Sequence, residues 1–429
     1  MPIFSWADET HNSPTEPPRR AKPAPLDAVF PSTEYLGPTI GVPNTDPIYP
    51  LTKAIWKGSP ILKENDIRVY GWINPSYNLS TSKNSNVPLS YNIVPNRIEL
   101  DQLVLRLERQ PDTVQCDRID WGFRLSNLFG IDYRYTTAQG IFSGQLLNHN
   151  KLYGYDPVEA YGQIYFPDVV EGLILTFGRY ISPPDIEAQL APQNYLLTHS
   201  LMFTYDIYTM TGINTSLKFN DQWTLLLGVH AGGDVATWNH ASHNPSGQLM
   251  VRWVSEENND SLWGGIDSLN KGHFKGNHDN LQEFNLTWTH RFSKEIHTVT
   301  EVYYLYQYNA CLGGTCNFGP VKPYGGGGGC GTKIPGKSPV WGAVNYTEFK
   351  LTDKSFLSAR LDYLNDVKGE RTGFATQYMS YTLGITYAFT SLFSIRPEVR
   401  YEKAYHARPY DNGVRKYQST FGVDAILRF

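Results

Sequence analysis

Charged residues of both signs recur at every second position in stretches whose intervening residues are apolar. Asp120 and Arg124 alternate with Ile119, Trp121, Phe123 and Leu125, and Asp132 and Arg134 with Ile131, Tyr133 and Tyr135. Arg360 and Asp362 extend the pattern, Arg396, Glu398, Arg400 and Glu402 alternate with Ile395, Val399 and Tyr401, and Asp424 and Arg428 stand in the last such stretch. A period of two places the charges on one face of an extended strand and the oily side chains on the other. Rows of opposite charge facing each other across a narrow aqueous lumen create a transverse field that orders water and disfavours apolar solutes. The same charges can instead pair across neighbouring strands and hold a wall together, and the sequence leaves both roles open for each residue. Mixed signs predict weak ion preference.

Other segments bear on chemistry. Ser182-Pro-Pro-Asp-Ile-Glu-Ala-Gln-Leu-Ala-Pro192 has prolines at both ends, a middle with short helical character, and more length than a plain connector needs. Either it folds into a lumen as a constriction, with Asp185 and Glu187 at the eyelet, or it is an ordinary surface loop. Cys311, Cys316 and Cys330 lie in a stretch containing Gly325 to Gly329, with Cys116 in another expected loop. Their spacing is poor for zinc, so no metal site is expected, and a loop disulfide, most simply Cys311 to Cys316, is the better reading in an oxidising compartment. His240, His243, His273 and His278 fall in expected loops, and no GxSxG, HExxH, P-loop or dinucleotide motif accompanies them. No catalytic residue and no cofactor is assigned.

The elements that must position these residues are strands. The chain ends in Tyr417-Gln-Ser-Thr-Phe-Gly-Val-Asp-Ala-Ile-Leu-Arg-Phe429, an alternating strand closed by an aromatic, as outer-membrane β-barrels commonly finish. Short polar turns are expected at Ser126-Asn127, Asn220 to Gln222, Ser293 to Glu295, Asp353 to Ser355 and Thr390-Ser391. Longer Gly-, Asn- and Pro-rich connections are expected at Ala138 to Asp156, Ile181 to Thr198, Gly232 to Pro245, Asn309 to Pro339 and Lys403 to Lys416. Alternating short and long connections suit a barrel with one end toward the periplasm and the other outside. With Asp66 to Asn74 and Val87 to Val94 taken as a first hairpin, the expectation is a single transmembrane antiparallel up-and-down β-barrel of 18 strands, with 16 as the alternative. Phe219, Trp223, Phe292, Phe389 and Phe393 beside the turns fit an interfacial girdle. A soluble all-β protein with its greasy faces turned to a core is the competing fold.

Composition narrows the class. Among 429 residues there are 29 Tyr, 37 Gly and 28 Pro, and no apolar run is long enough to span a membrane as a helix. If the chain spans, it spans as strands. A net charge of -4 with interspersed signs leaves no footprint for nucleic acid. Residues 1–65 read as a Pro-rich, largely unstructured segment ahead of a barrel over 66–429. The first residues, Met1-Pro-Ile-Phe-Ser-Trp-Ala-Asp, show no basic and apolar secretory leader, so export implies one outside this chain.

Tyr70-Gly-Trp-Ile-Asn-Pro75, Asp120-Trp-Gly-Phe-Arg124, Gly130-Ile-Asp-Tyr-Arg-Tyr-Thr136, Gly178-Arg-Tyr-Ile-Ser182 and Asp185-Ile-Glu-Ala-Gln-Leu-Ala-Pro-Gln-Asn-Tyr195 together resemble the putative β-barrel porin-2 (OmpL-like) family of Gram-negative outer-membrane proteins. The resemblance covers Asp66 to Phe429 and implies an outer-membrane barrel acting as a porin. The resulting expectation is a water-filled channel for passive diffusion of small hydrophilic solutes. Its partners would be outer-membrane lipid, those solutes, the barrel-assembly machinery through the C-terminal strand, and further copies in a homotrimer. An adhesin or scaffold barrel working through its long loops, and an outer-membrane hydrolase, are the alternatives.

Overall fold

Alternation with period two, repeated along the chain, closes into one sheet. The computed structural model describes residues 40–429 except 43, 45, 89–90, 184–185, 237–244, 275–277 and 315–331. The first strands are β1 (Arg68–Ser80), β2 (Ile98–Arg109), β3 (Asp120–Gly130), β4 (Gly154–Phe166) and β5 (Leu173–Ile181). They continue through β6 (Thr209–Lys218), β7 (Trp223–Gly233), β8 (Ser246–Val254), β9 (Asp260–Leu269), β10 (Gln282–Arg291) and β11 (Ile296–Tyr308). The wall is completed by β12 (Lys337–Thr352), β13 (Ser355–Asp366), β14 (Thr376–Ala388), β15 (Phe393–Ala404) and β16 (Tyr417–Arg428). Each strand pairs antiparallel with the next, and β16 returns to β1 in a register that sets Trp72 opposite Arg428 and Tyr77 opposite Val423. Closure removes both sheet edges, so every strand finds its ladder within the wall.

The two faces of the wall differ as the alternation requires. On β13 to β16, Leu361, Leu383, Val399 and Phe421 point outward and are 43%, 48%, 51% and 40% exposed, while Arg360, Asp362, Arg396 and Glu402 point inward and are buried. Lipid demands the first face, and only partners inside the barrel can satisfy the second. Near the short-turn end, Phe389 stacks on Phe393 at 5.2 Å and meets Tyr387 edge-on at 4.7 Å, giving aromatic rings at the boundary of the oily band.

The barrel has 16 strands, which corrects the preferred count of 18. Two expected strands are loops. In 87–94, Tyr91 and Asn92 adopt positive φ of 67° and 49°, so no ladder can pass through them. The backbone at Ile131 to Thr136 turns into a short helix, α3 (Tyr133–Thr136). Strand β3 runs straight through Ser126-Asn127, where a turn was expected. Both segments lie inside the barrel, with Tyr91, Ile93, Ile131 and Tyr135 in one buried cluster, so their oily residues report burial in the lumen rather than a strand period.

Short turns follow β4 and β6, and residues 110–119 follow β2 at the same end, whereas 81–97, 131–153 and 182–208 bridge strands at the other end; β1 therefore starts and β16 ends at the short-turn end. Ahead of β1 lie α1 (Pro50–Gly58) and α2 (Pro60–Glu64), each opened by a proline whose missing N–H costs nothing at that position. Thr52 of α1 donates its hydroxyl to the Val69 carbonyl at 2.6 Å, and the Trp56 indole donates to the Ile67 carbonyl at 2.7 Å. Residues 1–39 of the Pro-rich head lie outside the described residues.

Candidate functional site

The connection between β5 and β6, residues 182–208, enters the lumen. A loop there has no ladder partner, and the buried peptide groups not satisfied within the loop must be met by side chains of the wall. Arg396 donates to the carbonyls of Ala191 at 2.9 Å and Asn194 at 2.7 Å, Arg400 to that of His199 at 2.6 Å, and Arg428 to that of Pro192 at 3.4 Å. Arg360 donates to the Thr198 carbonyl and to its hydroxyl. The loop's N–H groups are met by carboxylates: Glu301 accepts from Ile186 at 3.0 Å, Glu398 from Thr198 at 3.0 Å, Asp362 from Leu201 at 3.3 Å and Glu283 from Ile207 at 3.3 Å. These partners come from β10, β11, β13, β15 and β16, so the loop reaches across the lumen.

Glu187, one of the two expected eyelet residues, is buried within this arrangement. Its carboxylate accepts from the Ser200 backbone at 2.8 Å, the Ser200 hydroxyl, and the Tyr346 hydroxyl at 2.5 Å, and stands 3.6 Å from the Arg360 guanidinium. Burial pushes its pKa above the ordinary glutamate value, and the Arg360 charge and the Ser200 bonds oppose that shift without cancelling it. His199 is driven well below the ordinary imidazole value by burial, against the pull of the Ala188 carbonyl. At the loop's far end the Asp234 carboxylate accepts from the backbone of Tyr208 and Thr209, and burial pushes it up to about 7. Asp185 lies outside the described residues.

The expected lining residues fall into four groups. Arg360, Asp362, Glu398, Arg400 and Glu402 form one patch with Glu187, in which Arg400 stands 2.9 Å from Glu402 and 3.9 Å from Asp362. Beside it Arg396 pairs with Asp424 through two nitrogens, the shorter contact 2.5 Å, and Arg428 grips the loop. Nearer the short-turn end, Asp120 pairs with Arg109 at 2.9 Å, and Arg124 with Glu108 at 2.8 Å and Glu159 at 3.2 Å. Asp132 and Arg134 sit beyond β3: Asp132 accepts from Gln102 at 2.9 Å, and Arg134 donates to the Lys151 carbonyl at 2.8 Å and to Asn150 at 2.7 Å.

Sequence reasoning missed the neighbouring wall on the other side of β12. Asp267 accepts from Ser182 at 2.8 Å and Gln248 at 2.7 Å, and Asn285 bridges Glu283 at 2.8 Å and Glu301 at 3.4 Å. The inward face of β11 carries Val299, Tyr303 and Leu305 beside Glu301, all buried, while Val302 faces outward. Both faces there are oily, so the charge alternation that exposes β15 is blurred. Three inward loops are joined by an aromatic stack, with Tyr91 between Tyr135 at 4.1 Å and His199 at 3.9 Å, and His199 on Phe203 at 4.6 Å. Overlapping rings fix the relative placement of the connections after β1, β3 and β5.

Cys311 is in a disulfide, Cys116 is free and half-buried, and the expected partner Cys316 lies outside the described residues, as do Cys330, His240 and His243. His278 bonds the Gly233 carbonyl at 3.2 Å and His273 tilts against Tyr308 at 5.1 Å. Among the described residues no group of three or more His, Cys, Asp or Glu is placed to hold a metal ion.

Comparison with known proteins adds the following. The model of the family described as "Putative beta-barrel porin-2, OmpL-like" matches residues 66–429. An anion-selective porin from Comamonas acidovorans superimposes with a TM-score of 0.53 at 10% identity, covering 85% of this chain and 99% of that one. OmpT of Vibrio cholerae, solved in a trimer form, gives 0.49 at 11% identity over 85% and 99% of the two chains. The outer membrane channel DcaP of Acinetobacter baumannii gives 0.49 at 9% over 85% and 97%. No curated protein matches the chain.

Proposed function

The chain belongs to the β-barrel porin-2, OmpL-like family and is a β-barrel of the outer membrane, and from that premise we propose that it is a channel for passive diffusion of small hydrophilic solutes whose bore is set by the 182–208 loop. The observation that carries the reading is that arginine and carboxyl side chains of the wall hold this loop inside the barrel by its backbone, Arg396, Arg400 and Arg428 on carbonyls and Glu301 on an amide. A polar, charged interior surrounding an inserted loop is the arrangement that passes water and small polar solutes while excluding large ones. Residues 66–429 are the membrane unit, the two short helices ahead of it are tied to β1 through Thr52 and Trp56, and the strand ending at Phe429 is the segment offered to the assembly machinery. A homotrimer is part of the same reading, tested by crosslinking in native membranes.

Planar-bilayer reconstitution tests the channel. Steady ohmic steps are expected, with solute entry into proteoliposomes falling as sugar size increases. Absence of any current overturns the reading. One observation favours a second reading: the inward charges, Arg360, Asp362 and Glu402 among them, are buried against the loops. That suits a filled scaffold barrel working through its external loops, and a purified protein that inserts but never conducts would establish it.

A further inference from the structure

The inward arginines of the wall find acceptors within the protein, with one exception among the described residues. Arg106 meets Glu159 at 2.8 Å and Arg179 meets Asp156 at 2.9 Å. Arg124, Arg360, Arg396, Arg400 and Arg428 have the partners given above. Arg252 of β8 has none. It is 3% exposed and sits on the inner face between its register partners, Thr224 of β7 and Trp263 of β9. Its Nε and Nη2 are buried without an acceptor, and among the described residues no carboxylate pairs with the group. Nη1 makes no bond either and is the nitrogen that solvent reaches.

The surroundings leave this charge standing alone. Leu226, Met250 and Trp263 form a buried apolar cluster on its long-loop side, and the Trp263 indole is already committed to the Pro183 carbonyl at 3.2 Å. Along the row toward β6, Thr224 stands opposite Lys218, whose ammonium is neutralised by Asp221 at 3.0 Å and Glu171 at 3.3 Å. A buried carboxyl without a partner can shed its charge by binding a proton, but a guanidinium keeps its charge at any pH a protein meets. Apolar neighbours lower the local dielectric and strengthen its pull on an anion. Strand β8 ends at Val254, so Arg252 lies about 7 Å inside the short-turn end.

We propose that Arg252 is an anion subsite on the solute path, a guanidinium in the short-turn half of the lumen whose missing acceptor is a small monovalent anion in passage. The inference rests on the channel reading above and deepens it by naming a favoured class of ion. Where charges of opposite sign stand side by side their fields cancel, and the unpaired guanidinium is left to set the preference. Thr224, directly across the ladder with its Cβ about 5 Å away, adds a hydroxyl to the same stretch of wall. A water molecule there would satisfy the hydrogen bonds and leave the charge unanswered.

The test is the reversal potential of reconstituted channels in a steep KCl gradient, with chloride as the probe. The full chain should favour chloride over potassium, and Arg252→Gln should lower that permeability ratio about twofold or more. Arg118→Gln removes a cation exposed in the connection after β2 and should leave the ratio where it stands. An unchanged ratio in Arg252→Gln overturns the subsite, and so does an equal fall in Arg118→Gln, which would trace the preference to net charge. Should Arg252→Gln not insert, Arg252→Met decides in its place. If neither inserts, conductance of the full chain against KCl concentration decides: saturation supports an ion held in passage, and a linear rise overturns it. Silence from the full chain and every variant overturns the channel reading itself, an outcome distinct from an unchanged ratio.

Discussion

The wall formed by β13 to β16 and the wall formed by β10 and β11 hold the same loop by different rules. On the first, arginines and carboxylates work together: Arg396 grips two loop carbonyls while paired with Asp424, and Arg400 grips His199 while beside Glu402. On the second, carboxylates meet the loop's amides with neutral support, as Glu301 and Glu283 do through Asn285. The difference teaches that one side is a fixed clamp, in which removing a charge strands its partner, and the other is adjustable, because neutral groups adapt when a carboxylate changes.

The largest effect tests the object both walls hold. Deleting Asp185 to Pro192 removes the Ala191 and Pro192 carbonyls from the clamp and the Ile186 amide from the second wall. Conductance should rise several-fold in a bilayer recording, and an unchanged current rejects the constriction. A smaller effect separates the walls. Arg396→Ala leaves Asp424 buried without its guanidinium, which should cost about 3–5 kcal/mol, whereas Glu301→Gln keeps an acceptor and should cost about 1 kcal/mol. Thermal unfolding in detergent, followed by the gel shift of the folded barrel, measures both. Equal losses would erase the distinction between clamp and adjustable wall.

The outer surface was legible in the sequence because lipid favours oily side chains at every outward position: Leu361, Leu383 and Val399 keep time with the strand period. The turns at Asn220 to Gln222 and Ser293 to Glu295 were legible for the related reason that the period stops there. The lumen imposes no such rhythm. Tyr91, Ile93 and Tyr135 are oily because they pack on other loops, and read as strands they added two to the count. The clamp could be anticipated from β15, whose inward face is charged at four successive positions, Arg396, Glu398, Arg400 and Glu402. What those charges bind could not, since the acceptors are backbone carbonyls, which every residue carries alike.

The smallest expected effect is the pH dependence of the loop's insertion, and its sign follows from three groups outside the strands. In the inserted loop the Glu187 carboxyl is raised above its ordinary value, and Asp234 is raised to about 7, so both bind protons more readily than they would in water. Lowering the pH from 7 toward the ordinary carboxylate range therefore favours the inserted state, and the effect ends once the free carboxyls are also protonated. His199 acts in the opposite sense: its depressed value means that below about 6.5 a withdrawn, solvated ring takes up the proton and favours withdrawal. Asp234, raised to about 7, takes up its proton before a withdrawn imidazole does, so conductance should decline on acidification from pH 7 toward about 6.5. Of the three, only His199 remains in Glu187→Gln combined with Asp234→Asn, and the decline should be lost, with conductance rising below about pH 6.5. A double variant that still loses current on acidification would move the titrating groups from the loop to the wall, and the adjustable side of the comparison would be the one to revise.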